Sequence, residues 1–180
     1  MSKEILAFLA EVAEGDMGAL SGLYDLLAVR IFNYARTITR NKELAEDITH
    51  DIFMLIVDQA ARIAKMSNPF AYVMVAVRHQ SYDHLKRANR TTVLDDTAEV
   101  SAEFPSYDSL LIEEALFSLP ANQRETIYLY HICGYSQKEV AGIMSVPLVT
   151  VKWRSGKALS ALRAYFNQDK EEPSNGTLLQ

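Results

Sequence analysis

Apolar residues recur every three or four positions along most of the chain, the period of an amphipathic helix, and the breaks in that period divide it. A first helix is predicted over residues 4–13 and stops at Gly15-Asp16. A second covers 18–39 and ends near Asn41. A third runs from Lys42 to about Arg62. Asn68-Pro69 restarts the chain, because proline suits the first turn of a helix, and a fourth helix follows to about Arg90. Residues 91–107 keep no period and hold acids, Ser, Thr and Pro105, which reads as a linker. A helical pattern resumes from Asp108 to Leu119 and is interrupted by Pro120. Gln123–Cys133 forms another helix, stopped by Gly134. Two short patterns split around Ser145–Pro147, and the tail from Asn167, with Pro173, Ser174, Asn175 and Gly176, is expected to be disordered. No alternating strand pattern and no repeat of fixed period appears. The predicted fold is all-α: a helical domain over 1–90, a flexible acidic linker over 91–108, a second helical domain over 109–166, and the tail 167–180.

The most specific local signal spans 136–166. Ser136-Gln137-Lys138-Glu139 has the form of a capping box, in which a hydroxyl and a carboxylate three residues apart satisfy free backbone N–H groups. Val140, Ala141, Ile143 and Met144 supply a short apolar face, with Ala141 small enough for a close helix crossing. Ser145-Val146-Pro147 makes a three-residue turn. Beyond it, Val151, Ser155, Ala158, Leu162 and Phe166 share one arc and are predicted to pack inward. The other arc carries Val149, Lys152, Trp153, Gly156, Lys157 and Ser160, flanked by Thr150 and Arg154. Four bases and no acid lie between Thr150 and Phe166. This is the pattern of a helix-turn-helix whose second helix meets phosphates and base edges. A solvated basic face on a plain hairpin is the plainer alternative.

Two further helices carry unusual faces. In 69–90, Phe70, Val73, Met74, Val77, Leu85 and Ala88 form one arc, while Tyr72, His79, Lys86, Arg87 and Arg90 lie on the other with Asp83. Rings beside bases suit single-stranded nucleic acid, on which bases stack and cations hold the backbone; an ordinary amphipathic helix fits the same spacing. In 42–62, Leu44, Ile48, Ile52, Leu55 and Ile56 form an inward stripe. Phe53, Met54 and Val57 lie on a second side among Glu46, Asp47, His50 and Asp51. A helix apolar on two sides buries both, so it is either a docking surface with an acidic rim or a central helix wrapped by its own bundle.

Composition narrows the class. Of 180 residues, 49% are hydrophobic, and seven Gly and five Pro are too few for a turn-rich β fold. The single cysteine excludes an internal disulfide framework. No secretory signal and no apolar run long enough for a membrane span is seen, so a cytoplasmic protein is expected. The net charge of −5 is unevenly placed. Residues 1–90 hold eleven bases and eleven acids, 91–110 hold five acids and no base, and 111–166 hold six bases and four acids. Local basic patches matter more for phosphate contact than the acidic total.

Several motifs together resemble a known family. Gly15-Asp16 with Leu23-Tyr24 comes first, then Ala45 to Phe53, Asn68-Pro69-Phe70-Ala71-Tyr72 and Asp83-His84-Leu85-Lys86-Arg87. Leu119-Pro120 with Gln123-Arg124, Gly134-Tyr135-Ser136 with Glu139-Val140-Ala141, and Thr150 to Arg154 complete the order. Over about residues 15–166 the chain resembles the sigma-70 family of bacterial RNA polymerase specificity subunits, and within it the small extracytoplasmic-function (ECF) group. That resemblance implies two helical domains that direct core polymerase to specific promoters. Asp47, Asp51, Phe53 and their neighbours Glu46, His50, Met54 and Val57 would bind the clamp helices of the largest polymerase subunit. The helix carrying Tyr72, His79, Lys86, Arg87 and Arg90 would recognise and help open the −10 element. Thr150, Lys152, Trp153, Arg154 and Lys157 would read the −35 element in duplex DNA. The acidic linker would thread toward the RNA exit path, and an anti-sigma partner is implied. Ser145 stands where the family often has Gly, Pro147 where it often has Ser, Ser155-Gly156 replace a bulkier pair, and Tyr72 and His79 stand where Trp and Asn are common.

Two other classes compete for these residues. His50-Asp51 with Asp83 has the form found in metal phosphohydrolases of the HD type, but no histidine precedes His50 to complete a metal shell. No phosphate loop or nucleophile elbow appears. No enzymatic activity, catalytic residue, metal or cofactor is therefore expected. A helix-turn-helix regulator acting without core polymerase fits the C-terminal half equally well, but gives no reason for the face on 42–62 beside the basic helix 69–90.

Overall fold

The computed structural model describes residues 2–91 and 107–168, all in helices and short turns. The order is α1 (Ser2–Ala13), α2 (Met17–Thr39), α3 (Lys42–Ile63), α4 (Pro69–Thr91), α5 (Tyr107–Ser118) and α6 (Ala121–Ile127). The latter runs on into a π-helical turn (Tyr128–Ile132), followed by α7 (Gln137–Met144) and α8 (Leu148–Gln168). Of the expected linker, residues 92–106 lie outside the described residues, as do 169–180 of the expected tail and the side chain of Arg90. α5 begins inside the expected linker, and Asn167 and Gln168 continue α8 instead of opening the tail.

The boundaries follow from local chemistry. Gly15 takes φ 92°, a left-handed conformation open to glycine without a Cβ penalty, and the Asp16 carboxylate accepts the backbone N–H of Gly18 at 2.8 Å. Asn41 caps α3 by accepting from Leu44 N at 2.8 Å. Asn68 caps α4 by accepting from Ala71 N at 3.0 Å, with Pro69 in the first turn where its missing N–H costs nothing. Gly22 lets α1 and α2 cross closely: a Cβ there would stand 2.6 Å from the Phe8 ring.

In the front bundle, α3 packs its Ile48, Ile52, Ile56 and Ile63 against Leu23, Leu27 and Ile31 of α2 and Val73, Met74 and Val77 of α4. Phe53 was expected on the outward side. It is instead 8% exposed and belongs to this core, its ring centroid 4.8 Å from that of Tyr24. The rear half has its own small core of Leu119, Ile127 and Ala158, with Leu116, Leu159 and Leu162 against it.

The front core does not end at the front bundle. Tyr128, Leu129, Tyr135, Val140, Ile143, Met144 and Val151 join it, so the two halves share a continuous apolar interior. Tyr34 of α2 stacks on Tyr128 with ring centroids 5.7 Å apart, and Phe70 of α4 stacks on Tyr135 at 5.6 Å. The lone cysteine, Cys133, is half-buried beside Tyr128, and burial raises its thiol to about 11, so it stays protonated at neutral pH.

Candidate nucleic-acid interfaces and an apolar docking groove

The capping box forms as the spacing predicts. Ser136 Oγ accepts from Glu139 N at 3.3 Å, while a Glu139 carboxylate oxygen accepts from Ser136 N at 2.8 Å and from Ser136 Oγ at 2.7 Å. The Ser136 hydroxyl and backbone N–H, joined by Asn68, hold the Glu139 carboxyl below its ordinary range. Ser145 ends α7 at φ 55°, a left-handed cap, and Val146 N closes the turn on Ala141 O at 3.0 Å. That geometry explains why glycine is common at this position: a serine pays for a Cβ there.

The turn aims α8 outward. Val151, Ser155 and Ala158 are buried and Leu162 is half-buried, as its arc predicts; Phe166, expected inward, is 38% exposed. Lys152, Trp153 and Lys157 are exposed, Trp153 at 57%, with Val149 beside them at 71%. Thr150 and Arg154 are half-buried at the flank. Gly156 faces open space, and a Cβ there would meet nothing within 4 Å. The surface joins three long cationic or aromatic side chains on a rigid helix, enough for phosphate contacts and for reaching base edges in a major groove.

On α4 the expected residues part company. His79, Lys86 and Arg87 are exposed. Tyr72 is half-buried and donates its hydroxyl to Gln59 Oε1 at 3.2 Å, where α3 bends. The Arg62 guanidinium lies 6.0 Å from the Tyr72 ring centroid.

Sequence reasoning missed four residues beside this face. Glu125 of α6 is 1% exposed and accepts three hydrogen bonds from the front half: Tyr34 Oη at 2.6 Å, Arg78 Nε at 2.7 Å and Tyr82 Oη at 3.1 Å. Burial and the Glu125 charge raise the pKa of both phenols, so both stay protonated donors. Burial disfavours the Arg78 cation, but the charge and hydrogen bond of Glu125, with Tyr34 and Tyr82, together more than offset it and its pKa is raised. A carboxylate on the buried side of a short helix, Glu125 between Arg124 and Thr126, was the one signal available. Arg124 is also buried, donating Nε to Thr37 O at 2.8 Å, and burial followed by the nearby Arg40 lowers its pKa to about 10. Arg36 pairs with Glu113 of α5.

A third surface lies between α2 and α3. Tyr24, Val29, Phe32, Lys42, His50 and the edge of Phe53 line a groove of about 610 Å³. Val29 is 67% exposed, and Met54 at 59% and Val57 at 37% continue the apolar surface along α3. Glu46, Asp47, His50 and Asp51 are exposed along the same helix. Bundle neighbours thus take Phe53, while Met54 and Val57 remain outside. Among the described residues no three His, Cys, Asp or Glu side chains gather to hold a metal ion. No helix of the described residues is long and apolar enough to cross a membrane.

Two family models match the chain. The model for sigma-70 region 2 covers residues 23–91, and that for sigma-70 region 4 covers 115–164. The chain belongs to the sigma-70 family. Curated relatives are of the ECF group: the ECF RNA polymerase sigma factor SigK of Mycobacterium sp. (strain JLS) is 22% identical over 175 residues, with 91% of each chain covered. The ECF RNA polymerase sigma factor SigL of Mycobacterium tuberculosis (strain ATCC 25618 / H37Rv) is 25% identical over 167 residues, with 88% of this chain and 94% of the relative covered. Two solved structures share the fold. The sigma factor RpoE, crystallised with the anti-sigma factor NepR from Bartonella quintana, superposes with a TM-score of 0.70 at 23% identity, over 83% of this chain and 97% of that one. CnrH, in complex with the cytosolic domain of CnrY, gives 0.65 at 21% identity, over 92% and 99%.

Proposed function

We infer that this protein is a bacterial RNA polymerase sigma factor of the ECF type. It directs core polymerase to specific promoters and promotes initiation there. The two family regions carry that conclusion, in the order and over the residues where the helical halves lie. The alternative of a free-standing regulator is not favoured, because region 2 has no part in it.

The site assignments are argued from surface chemistry. Lys152, Trp153 and Lys157, with Thr150 and Arg154 at the flank, form the duplex-reading face of α8 for the −35 element. His79, Lys86 and Arg87 line α4, with Tyr72 and Arg90 assigned to the same helix, for the unpaired strand of the −10 element. The exposed acids Glu46, Asp47 and Asp51, with His50, Met54 and Val57, dock the polymerase clamp helices, and Phe53 supports that surface from beneath. We assign residues 1–90 to polymerase and −10 binding, 109–166 to −35 binding and the acidic stretch between them to a linker.

An anti-sigma partner fits this reading, since the solved neighbours of the same fold are held by such partners. A protein acting on polymerase and chromosomal promoters works in the cytoplasm, and nothing in the reading calls for catalysis by the chain itself. Gel filtration with core polymerase tests the assignment of α3: Met54→Asp, placed on an exposed position, is expected to lose co-elution while remaining folded. Undiminished co-elution would remove the docking face from α3.

A further inference from the structure

We propose that the cavity between α2, α5 and α6 binds a guanine nucleotide, with the base against Glu113 and the phosphates against Arg40 and Arg124. This site stands apart from the α3 groove and from the faces of α4 and α8 assigned above.

Three observations carry it. The first is shape. A cavity of about 230 Å³ opens where α2 meets α5 and α6, walled by Ile112, Leu116, Phe117, Tyr128 and Ile132. Ile112 and Ile132, both more than half exposed, stand at its rim. Apolar walls with a few convergent polar groups are the make-up of a small-molecule site. The volume suits a flat ring system, and the sugar and phosphates of a nucleotide would extend past the rim.

The second is an acceptor without a donor. One oxygen of Glu113 pairs with Arg36. The other, Oε2, is buried and has no hydrogen-bond partner among the described residues. Burial raises the pKa of this carboxyl, although Arg36 acts to lower it. A buried acceptor is costly to leave unmet, and a ligand N–H removes that cost. Guanine presents N1–H and its N2 amino group side by side on one edge, two donors for one carboxylate. Adenine has an acceptor, N1, where guanine has N1–H, and would meet the carboxylate with repulsion.

The third is charge. Arg40 and Arg124 both approach the ring of Phe117, their guanidinium carbons 5.0 and 5.2 Å from its centroid. Arg40 is exposed. Arg124 is buried, and its side chain donates to the carbonyls of Thr37, Phe117 and Leu119. Neither arginine has an ion pair among the described residues, and after burial itself the Arg40 charge is what lowers the Arg124 pKa. Two neighbouring guanidinium groups without an anion between them suit a phosphate. Glu113 and Phe117 are one turn apart on α5, about 6 Å between Cβ atoms, so the acceptor and the cations lie a helical turn apart along one wall.

The test is isothermal titration calorimetry of the full chain with GDP, ADP and inorganic pyrophosphate. GDP is expected to bind saturably at one site per chain, and ADP and pyrophosphate at least about tenfold more weakly, the scale of one charge-assisted hydrogen bond. GDP is also expected to raise the melting temperature, where the same concentration of ADP does not. Arg40→Ala is expected to weaken GDP about tenfold. Glu113→Gln is expected to invert the preference toward xanthosine diphosphate, whose 2-oxo group accepts from the new amide N–H. A merely structural role for Glu113 would not invert it. Ile112→Trp, at the exposed rim, is expected to block GDP without lowering the melting temperature. Circular dichroism confirms that each variant remains helical, and the comparison of GDP with ADP needs no variant. Absence of GDP binding up to about 1 mM, the weak end of specific recognition, overturns the proposal. So does equal binding of GDP, ADP and pyrophosphate, which would mark an anion patch, or wild-type GDP binding by folded Glu113→Gln and Ile112→Trp.

Discussion

The side-chain amide of Asn68 donates to the Glu139 carboxylate at 2.9 Å, although 71 residues separate them. Asn68 is the cap of α4, and Glu139 is the far member of the α7 capping box. One hydrogen bond thus joins the cap of the helix assigned to the −10 strand to the cap of the helix-turn-helix.

Glu139 makes the acid limb of stability measurable. Its carboxyl titrates below the ordinary 4.5 because Ser136 and Asn68 bond the charged form. The stabilisation is therefore complete above the unfolded value and is lost as pH falls through the lower, folded one. Glu139→Gln is expected to cost about 1 kcal/mol near neutral pH and to flatten the loss of stability on acidification below about 4.5. Urea denaturation at a series of pH values checks this; parallel wild-type and variant curves would contradict it.

Gly156 separates stability from recognition. Among the described residues nothing would lie within 4 Å of a Cβ at this position, yet it sits inside α8. Gly156→Ala is expected to stabilise the protein by about 1 kcal/mol through helix propensity alone. If duplex DNA approaches α8 closely there, promoter affinity falls while the melting temperature rises. Thermal melts paired with promoter-binding titrations read both, and a lowered melting temperature would show that the glycine is needed within the fold.

Lys152 and Lys157 are exposed on α8, and the proposed −35 reading makes them phosphate partners. Lys152→Ala is expected to weaken binding to −35 duplexes of every sequence and to reduce the salt slope by about one unit. Trp153→Ala removes a ring that is 57% exposed, so stability is expected to change by less than about 0.5 kcal/mol while promoter-directed initiation drops. Normal initiation from both variants would remove α8 from recognition.

Phe53→Ala tests packing as much as docking. With its side chain in the core, the variant is expected to lose about 3–5 kcal/mol of stability as well as polymerase binding. Val57→Asp and Met54→Asp act from the surface and are expected to weaken core-polymerase binding with little change in a denaturation midpoint. A Phe53→Ala protein as stable as wild type would contradict its placement.

Helix boundaries were legible because they are set within four residues. Asp16, Asn41 and Ser136 bond backbone groups two or three positions ahead, and such spacing is visible in a sequence. The inward arc of α8 was legible for the same reason, up to Phe166, where neighbouring helices no longer cover it. The Glu125 cluster was not legible. Its partners stand 91, 47 and 43 residues away, and local periodicity carries nothing about such pairings. Phe53 was misplaced because α3 is met on several sides by α1, α2 and α4, and spacing along one helix does not reveal how far its neighbours wrap around it. Tyr72 shared the outward arc of its helix, but the bend of α3 at Gln59 brings a partner for its hydroxyl.

Transcription reconstituted with purified bacterial core polymerase over a library of promoter fragments reads the central claim most directly. The protein is expected to form a stable holoenzyme that starts RNA synthesis at a small, shared set of −10 and −35 sequences from which core enzyme alone makes no transcript. Failure to form a holoenzyme, or starts identical to those of core enzyme alone on every fragment, would contradict it.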